Sequence, residues 1–136
     1  MKLDEFIKTN IGKKVDYDGV YGAQCVDLFR KYSVDVLGIP EHTGSVKGAK
    51  ELVLNYENLP KEKKYFNCFR DCHTLFIGDV VVWNSTPSNE FGHVAIYLGN
   101  ISKDSVIVFE QNGFSQDGAK LNIRSKENLA GVLRCK

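Results

Sequence analysis

No part of the 136-residue chain approaches the run of about 18 apolar residues that a membrane span needs. The N-terminus, Met1-Lys2-Leu3-Asp4-Glu5-Phe6, also lacks the apolar centre of a secretory leader. Membrane insertion and a signal peptide are therefore not expected. Charge of one sign is equally scarce: 18 Lys and Arg face 17 Asp and Glu, and the only basic stretch is the short run 61–64. The electrostatic footprint of a nucleic-acid binder is missing. Cysteine is sparse at four residues (Cys25, Cys68, Cys72, Cys135). Without a leader, these read as reduced thiols rather than a disulfide framework. Only three prolines occur, each in a stretch that reads as a connection, and there is no internal repeat or low-complexity tract.

What remains is ordinary globular composition, 43% hydrophobic in a length that suits one core and not two. One domain over 1–136 and a monomeric chain are expected. The first half reads helical. Leu3, Phe6 and Ile7 make a short stripe, and Cys25, Leu28, Phe29, Tyr32 and Val36 repeat at helical spacing up to Gly38-Ile39-Pro40. Residues 46–56 suggest a third helix, and 57–74 a polar loop. From Asp79 the pattern turns to strands: DVVVW at 79–83, HVAIYLG at 93–99, SVIVFEQ at 105–111 and GVLRC at 131–135. Helices followed by strands indicate an α+β fold, with N-terminal helices packed on a mostly antiparallel sheet.

Cys25 opens the second helix, where the positive end of the helix dipole favours a thiolate, the nucleophilic form. A lone cysteine there is more often structural, so a base is needed. His93 begins an apolar strand after Gly92. If 93–98 and 105–110 form a hairpin closed by 99–104, His93 lies opposite Glu110. Cross-strand Cβ atoms are about 4.5–5.5 Å apart, so that carboxylate can fix the imidazole tautomer. Asn112 points to the same face. Cys25, His93 and Glu110 thus supply a nucleophile, a base and a base-orienter. The bland reading is a satisfied core histidine beside a strand-end glutamate.

GVYGAQCVDLFRKY (19–32), GDVVVWN (78–84), GHVAIYLG (92–99) and FEQNG (109–113) together resemble the blocks of a CHAP domain, a papain-like amidase and endopeptidase module common in bacteriophage endolysins. The blocks occur in the family's order and span nearly the whole chain; any one alone would be weak. The resemblance implies a papain-like fold and bacterial peptidoglycan as substrate. It implies hydrolysis of a muramoyl–L-alanine amide, or of a D-alanyl-glycyl-type bond within the peptide, through an acyl-enzyme on Cys25. Asn112 would add a polar contact beside the His93–Glu110 pair, and Gln24 with the Cys25 N–H would bind the oxyanion. A protein made in the host cytoplasm, acting on the cell wall and aided by a wall-binding domain outside this chain, fits the same picture. The alternatives are an inactive relative that binds peptidoglycan, and a papain-like hydrolase or acyltransferase of another substrate.

Asp16, Asp18 and Asp27 bracket Cys25, and D-x-D-G is a loop that gathers hard oxygen ligands. The resemblance adds the backbone carbonyls of Val20 and Gly22, as some CHAP domains bind calcium here. A structural Ca2+ is expected, against the alternative that Asp16 and Asp18 shape a turn and Asp27 stabilises the helix start. No organic cofactor is implied. Trp83, Tyr21 and Phe91 are candidate walls of a substrate groove, with capping of the core an equal reading for Trp83. Cys68, Cys72 and His73 lack a fourth zinc ligand and read as loop residues. Cys135 reads as a small apolar filler and His42 as surface.

Overall fold

The computed structural model describes residues 1–17, 24–40, 46–112 and 118–136. Tyr21, Asp18, Val20, Gly22 and His42 lie outside the described residues. Among the described residues, four α-helices, α1 (Leu3–Asn10), α2 (Cys25–Asp35), α3 (Glu51–Leu54) and α4 (Pro60–Tyr65), and a 3-10 turn (Tyr56–Asn58) accompany six strands. The strands are β1 (Phe66–Phe69), β2 (Val80–Trp83), β3 (His93–Asn100), β4 (Ser105–Glu110), β5 (Lys120–Ser125) and β6 (Leu129–Cys135). They form one antiparallel sheet in the order β1-β6-β2-β3-β4-β5. No helix among the described residues is long and apolar enough to cross a membrane.

The sheet explains its own sequence patterns. β2 reads as an unbroken apolar run because it lies between β6 and β3 and is buried on both faces. β5 alternates half-buried and exposed residues because it is an edge strand with one face turned inward. One face of the sheet packs on the helices: Phe6 meets Tyr32 and Phe109 edge to face, at 5.7 and 6.1 Å between ring centroids, and Phe29 meets Phe66 at 5.7 Å. Each such ring pair adds about 0.5–1.5 kcal/mol to the burial of the rings themselves. The opposite face buries Val81, Ala95, Tyr97, Val106, Val108 and Val132 beneath a segment bearing Cys72 and Leu75.

Two expectations are corrected. The third helix shrinks to α3, because residues 46–50 are drawn against the 91–92 segment: Lys50 N–H donates to Phe91 O at 3.0 Å. The expected loop 57–74 contains part of the 3-10 turn, all of α4 and β1, so Cys68 sits in a strand, opposite Leu133. Pro60 at the start of α4 presets that helix, where a missing N–H costs nothing. The strand β5 carries no apolar alternation toward the core in the sequence, because its inward face is polar.

Candidate active site

The β3–β4 register differs from the expected one by two residues. Ile96 pairs with Phe109 and Tyr97 with Val108, and a bulge between Tyr97 and Gly99 shifts the pairs beyond it. A slip of two preserves the face on which each side chain sits, whereas a slip of one would reverse it. His93 Nε2 therefore still reaches Glu110 Oε1, at 3.2 Å, as a diagonal neighbour.

Glu110 is fully buried, and its two oxygens are surrounded by donors. Asn122 Nδ2 donates to Oε2 at 3.0 Å, Arg124 Nη2 donates to the same oxygen at 2.9 Å, and Arg124 Nε donates to Oε1. Burial alone would raise the carboxyl pKa, but the hydrogen bonds from His93, Arg124 and Asn122, with the His93 charge, bring it down to about 2. Glu110 is thus a carboxylate at neutral pH and can only accept. The Nε2 of His93 must then carry the proton, which leaves Nδ1 as the basic atom of the neutral ring.

His93 Nδ1 is buried, with no nitrogen or oxygen partner among the described residues. The side chain that meets the ring from the helix is Cys25. Burial disfavours the imidazolium most strongly, yet the contacts with Cys25 and Glu110 outweigh it against a smaller opposition from Arg124. The net effect raises the His93 pKa above 6.5. Trp83 holds the ring from one side, at 5.8 Å between centroids. Its indole N–H is fixed on Ser125 O at 3.0 Å, and Arg124 lies 5.7 Å over the indole.

The helix end is secured separately. Gln24 precedes α2, and its N–H donates to Asp27 Oδ2 at 2.9 Å. Asp27 is buried, and its other oxygen lies 4.0 Å from Arg30. Gln111, also fully buried, donates through Nε2 to Val15 O at 2.7 Å and Gln24 O at 2.9 Å, and accepts the Val15 N–H at 2.7 Å. Gln111, the residue after β4, thus holds both Val15 and the residue before Cys25.

Cys25, His93, Asn112 and Gln24 line one groove of about 1640 Å³. Residues 46–49, 84–89, 91–92 and, from β5, 122–125 also line it. Phe91 is half exposed over the groove, whereas Trp83 is only 7% exposed, so Trp83 both lines the groove and caps the core. Glycine is required at 92: its φ is +74°, and a Cβ there would lie 2.4 Å from Trp83 O. Asn112 holds a left-handed φ of 55° just beyond β4.

Of the residues expected at the site, the structure thus gathers Cys25, His93, Glu110, Asn112, Gln24, Trp83 and Phe91. Among the metal candidates, Asp16 is exposed and Asp27 buried at the helix start; Asp18, Val20 and Gly22 lie outside the described residues, as does Tyr21. No group of three or more His, Cys, Asp or Glu that could hold a metal occurs among the described residues. At the expected oxyanion position the Gln24 backbone N–H is engaged by Asp27, and the Gln24 side chain takes part in the capping box at the start of α2. Sequence reasoning missed Asn122, Arg124 and Gln111. The alternation of β5, with Asn122 and Arg124 two apart, was the available signal for the first two.

A thiol at a helix start meeting a strand-borne imidazole backed by a buried carboxylate, on an α+β frame with an antiparallel sheet, is the arrangement of the papain-like fold class. Within it the chain belongs to the CHAP domain family, whose sequence profile matches residues 14–112. It is 31% identical over 99 residues to Endolysin PlyTW of Staphylococcus phage Twort (strain DSM 17442 / HER 48), covering 70% of this chain and 19% of that protein. The chain therefore spans about a fifth of the length of that relative. Its fold is similar to the crystal structures of the endolysin LysIME-EF1 (TM-score 0.68, 21% identity, 98% of this chain and 64% of that one) and of Ly7917 (0.71, 17%, 99% and 62%). A further structure of Ly7917, with the hydrolyzing product of MDP, matches at TM-score 0.64, with 19% identity over 96% of this chain and 60% of that one.

Proposed function

We propose that this chain is the catalytic part of an endolysin-type enzyme that hydrolyses an amide bond of bacterial peptidoglycan through Cys25. The observation that carries the reading is the direction of the His93 ring: Nε2 is committed to a buried carboxylate, and the free nitrogen is left for a thiol. Family membership and the endolysin relative support the substrate.

In the mechanism, His93 Nδ1 takes the Cys25 proton and the thiolate attacks the amide carbonyl. The oxyanion is met by the Cys25 N–H, one of the first-turn N–H groups without an intrahelical acceptor, and by the Gln24 side chain. The imidazolium returns its proton to the leaving amine as the C–N bond breaks. Water, deprotonated by the same nitrogen, then cleaves the thioester and frees the new carboxylate and the thiol. Glu110 keeps the ring in this tautomer throughout, and Asn112 contributes a polar contact at the groove. Trp83, Phe91 and Tyr21 are the substrate walls of this reading. The bond is either the muramoyl–L-alanine amide or a D-alanyl-glycyl-type peptide bond. A wall-binding domain outside this chain would hold the enzyme at its polymeric substrate and raise its effective concentration there.

Calcium is a second element of the proposal. Asp16 and Asp27 would offer hard carboxylate oxygens of the kind that suit calcium rather than zinc, Asp27 giving up its present contacts with Gln24 N–H and Arg30, and Asp18 with the carbonyls of Val20 and Gly22 would complete the set. When bound, the ion would neutralise these carboxylates and brace the loop that precedes Cys25.

The test is digestion of purified Gram-positive walls by wild type and Cys25→Ala, with added calcium and with chelator, the released ends being identified by mass spectrometry. New termini from wild type alone are expected, their chemistry naming the bond, with loss of rate in chelator. Binding without cutting by both proteins would favour an inactive wall-binding relative. Equal cutting by both would remove Cys25 from the mechanism.

A further inference from the structure

The edge strand β5 supplies neither the thiol nor the imidazole, yet its inward residues converge on the carboxylate behind them. Glu110 pairs with Lys120, so Asn122 and Arg124 lie two and four residues further along the neighbouring strand on the same face. Arginine is long enough to return along that diagonal and present two parallel donors, Nε and Nη2, to the two oxygens of Glu110. The same guanidinium lies over the Trp83 ring, which packs on His93. Arg124 thus touches both supports of the imidazole.

We infer that Arg124 is a positioning residue for His93: its forked contact fixes the Glu110 carboxylate in the plane that receives Nε2–H, and so aims Nδ1 at Cys25. The inference deepens the proposed function and rests on its thiol–imidazole reading. A carboxylate held only by His93 could rotate or take up a proton in this dry site, and either change would release the ring to its other tautomer. Asn122 alone cannot prevent this, because it reaches a single oxygen. Among the described residues, the titratable or charged groups facing this cluster are Cys25 from α2, Glu110 from β4, and Lys120 and Arg124 from β5, while β2 contributes the neutral Trp83. Lysine at 124 would keep the positive charge but lose the fork.

Arg124 also lines the groove, so a direct contact with substrate is the competing explanation, and a double-mutant cycle separates the two. Arg124→Met, Arg124→Lys, Glu110→Gln and the pair Glu110→Gln/Arg124→Met would be compared by rate on cell walls, at a temperature where melting curves show each to be folded. Arg124→Lys takes the place of Arg124→Met in the cycle if the latter does not fold. Positioning predicts a loss of about 10- to 100-fold in kcat for Arg124→Met with little change in KM, and partial recovery in Arg124→Lys. The double variant should be no slower than Glu110→Gln alone. Additive losses, or a rise in KM at unchanged kcat, would overturn it.

A second readout needs no wall activity: the downfield proton NMR signal of the His93 Nε2–H held on Glu110. It should be seen in wild type and be lost or markedly shifted in Arg124→Met. An unchanged signal in the folded variant would refute the inference even if the wall digestion succeeds. A lost signal with no digestion by wild type would leave the inference standing and count against the proposed function.

Discussion

Glu110 and Gln111 are consecutive residues at the end of β4, both fully buried, and they secure opposite halves of the site. Successive side chains of a strand point to opposite faces. Glu110 turns to β5 and His93 and is held by charge: two bonds from a guanidinium, one from an amide and one from the imidazole. Gln111 turns to the helix and is held by neutral bonds to Val15 and Gln24. The His93 imidazole is therefore fixed by an ionic network and the residue before Cys25 by an amide bridge. The base half should answer to pH and to charge-changing substitutions, the nucleophile half to loss of shape.

The largest effect expected from breaking this arrangement is on the nucleophile itself. Cys25→Ala should lower the rate of wall digestion by at least about a thousandfold, with a melting temperature near that of wild type, as removal of a nucleophile does in other covalent mechanisms. Next come the ionic substitutions. Glu110→Ala leaves the Arg124 charge partly buried without its partner and should cost about 3–5 kcal/mol of stability, read from denaturant unfolding. Glu110→Gln, which fills the same space, should cost less stability while still depressing kcat.

The same half predicts a pH dependence. Glu110 has a folded-state pKa lowered from 4.5 to about 2, so its contribution is complete above about pH 5 and declines as the pH falls toward 2. Urea unfolding of wild type should weaken over that window by about 3 kcal/mol more than that of Glu110→Gln. Equal slopes would remove the ionic description of the base half.

On the amide side, Gln111→Ala strips partners from two carbonyls and one N–H. It should cost about 2–4 kcal/mol and slow digestion, with a stability loss little changed between pH 5 and 8. Gln111→Glu should be the worse substitution, because an oxygen then faces the carbonyls of Val15 and Gln24. The smallest expected effect is at the groove wall: Phe91→Ala should raise KM a few-fold and leave kcat nearly unchanged, since Phe91 is half exposed and lines the groove without touching the His93–Glu110 network.

The parts of this arrangement with strong apolar patterning were legible in the sequence. The spacing of Leu28, Phe29 and Tyr32 showed α2, and the Val- and Ile-rich runs showed β2, β3, β4 and β6 with boundaries within about two residues of those observed. The His93–Glu110 partnership was found on a wrong register, and survived because the error was an even number of residues. Less patterned elements were not read. β1 (FNCF) is four residues long, and β5 (KLNIRS) turns polar residues inward and leaves Leu121 and Ile123 exposed, the reverse of the usual amphipathic strand. That inversion is itself a product of the site, since the inward face of β5 must hold a carboxylate. Arg124 and Gln111 were missed for a related reason: a polar side chain that serves another polar side chain leaves no periodic trace.

The central claim is that Cys25 alone among the four cysteines is activated, and that His93 activates it. Its most direct test is the rate of alkylation at each cysteine of the native protein by iodoacetamide, followed by peptide mass mapping at pH 7 in wild type, His93→Ala and Glu110→Gln. Burial pushes the Cys68 and Cys72 thiols up, so both should react slowly. The account predicts that Cys25 is labelled first in wild type and slows markedly in both variants while the other three cysteines keep their rates. Labelling of Cys25 no faster than the others, or unaffected by His93→Ala, would contradict it.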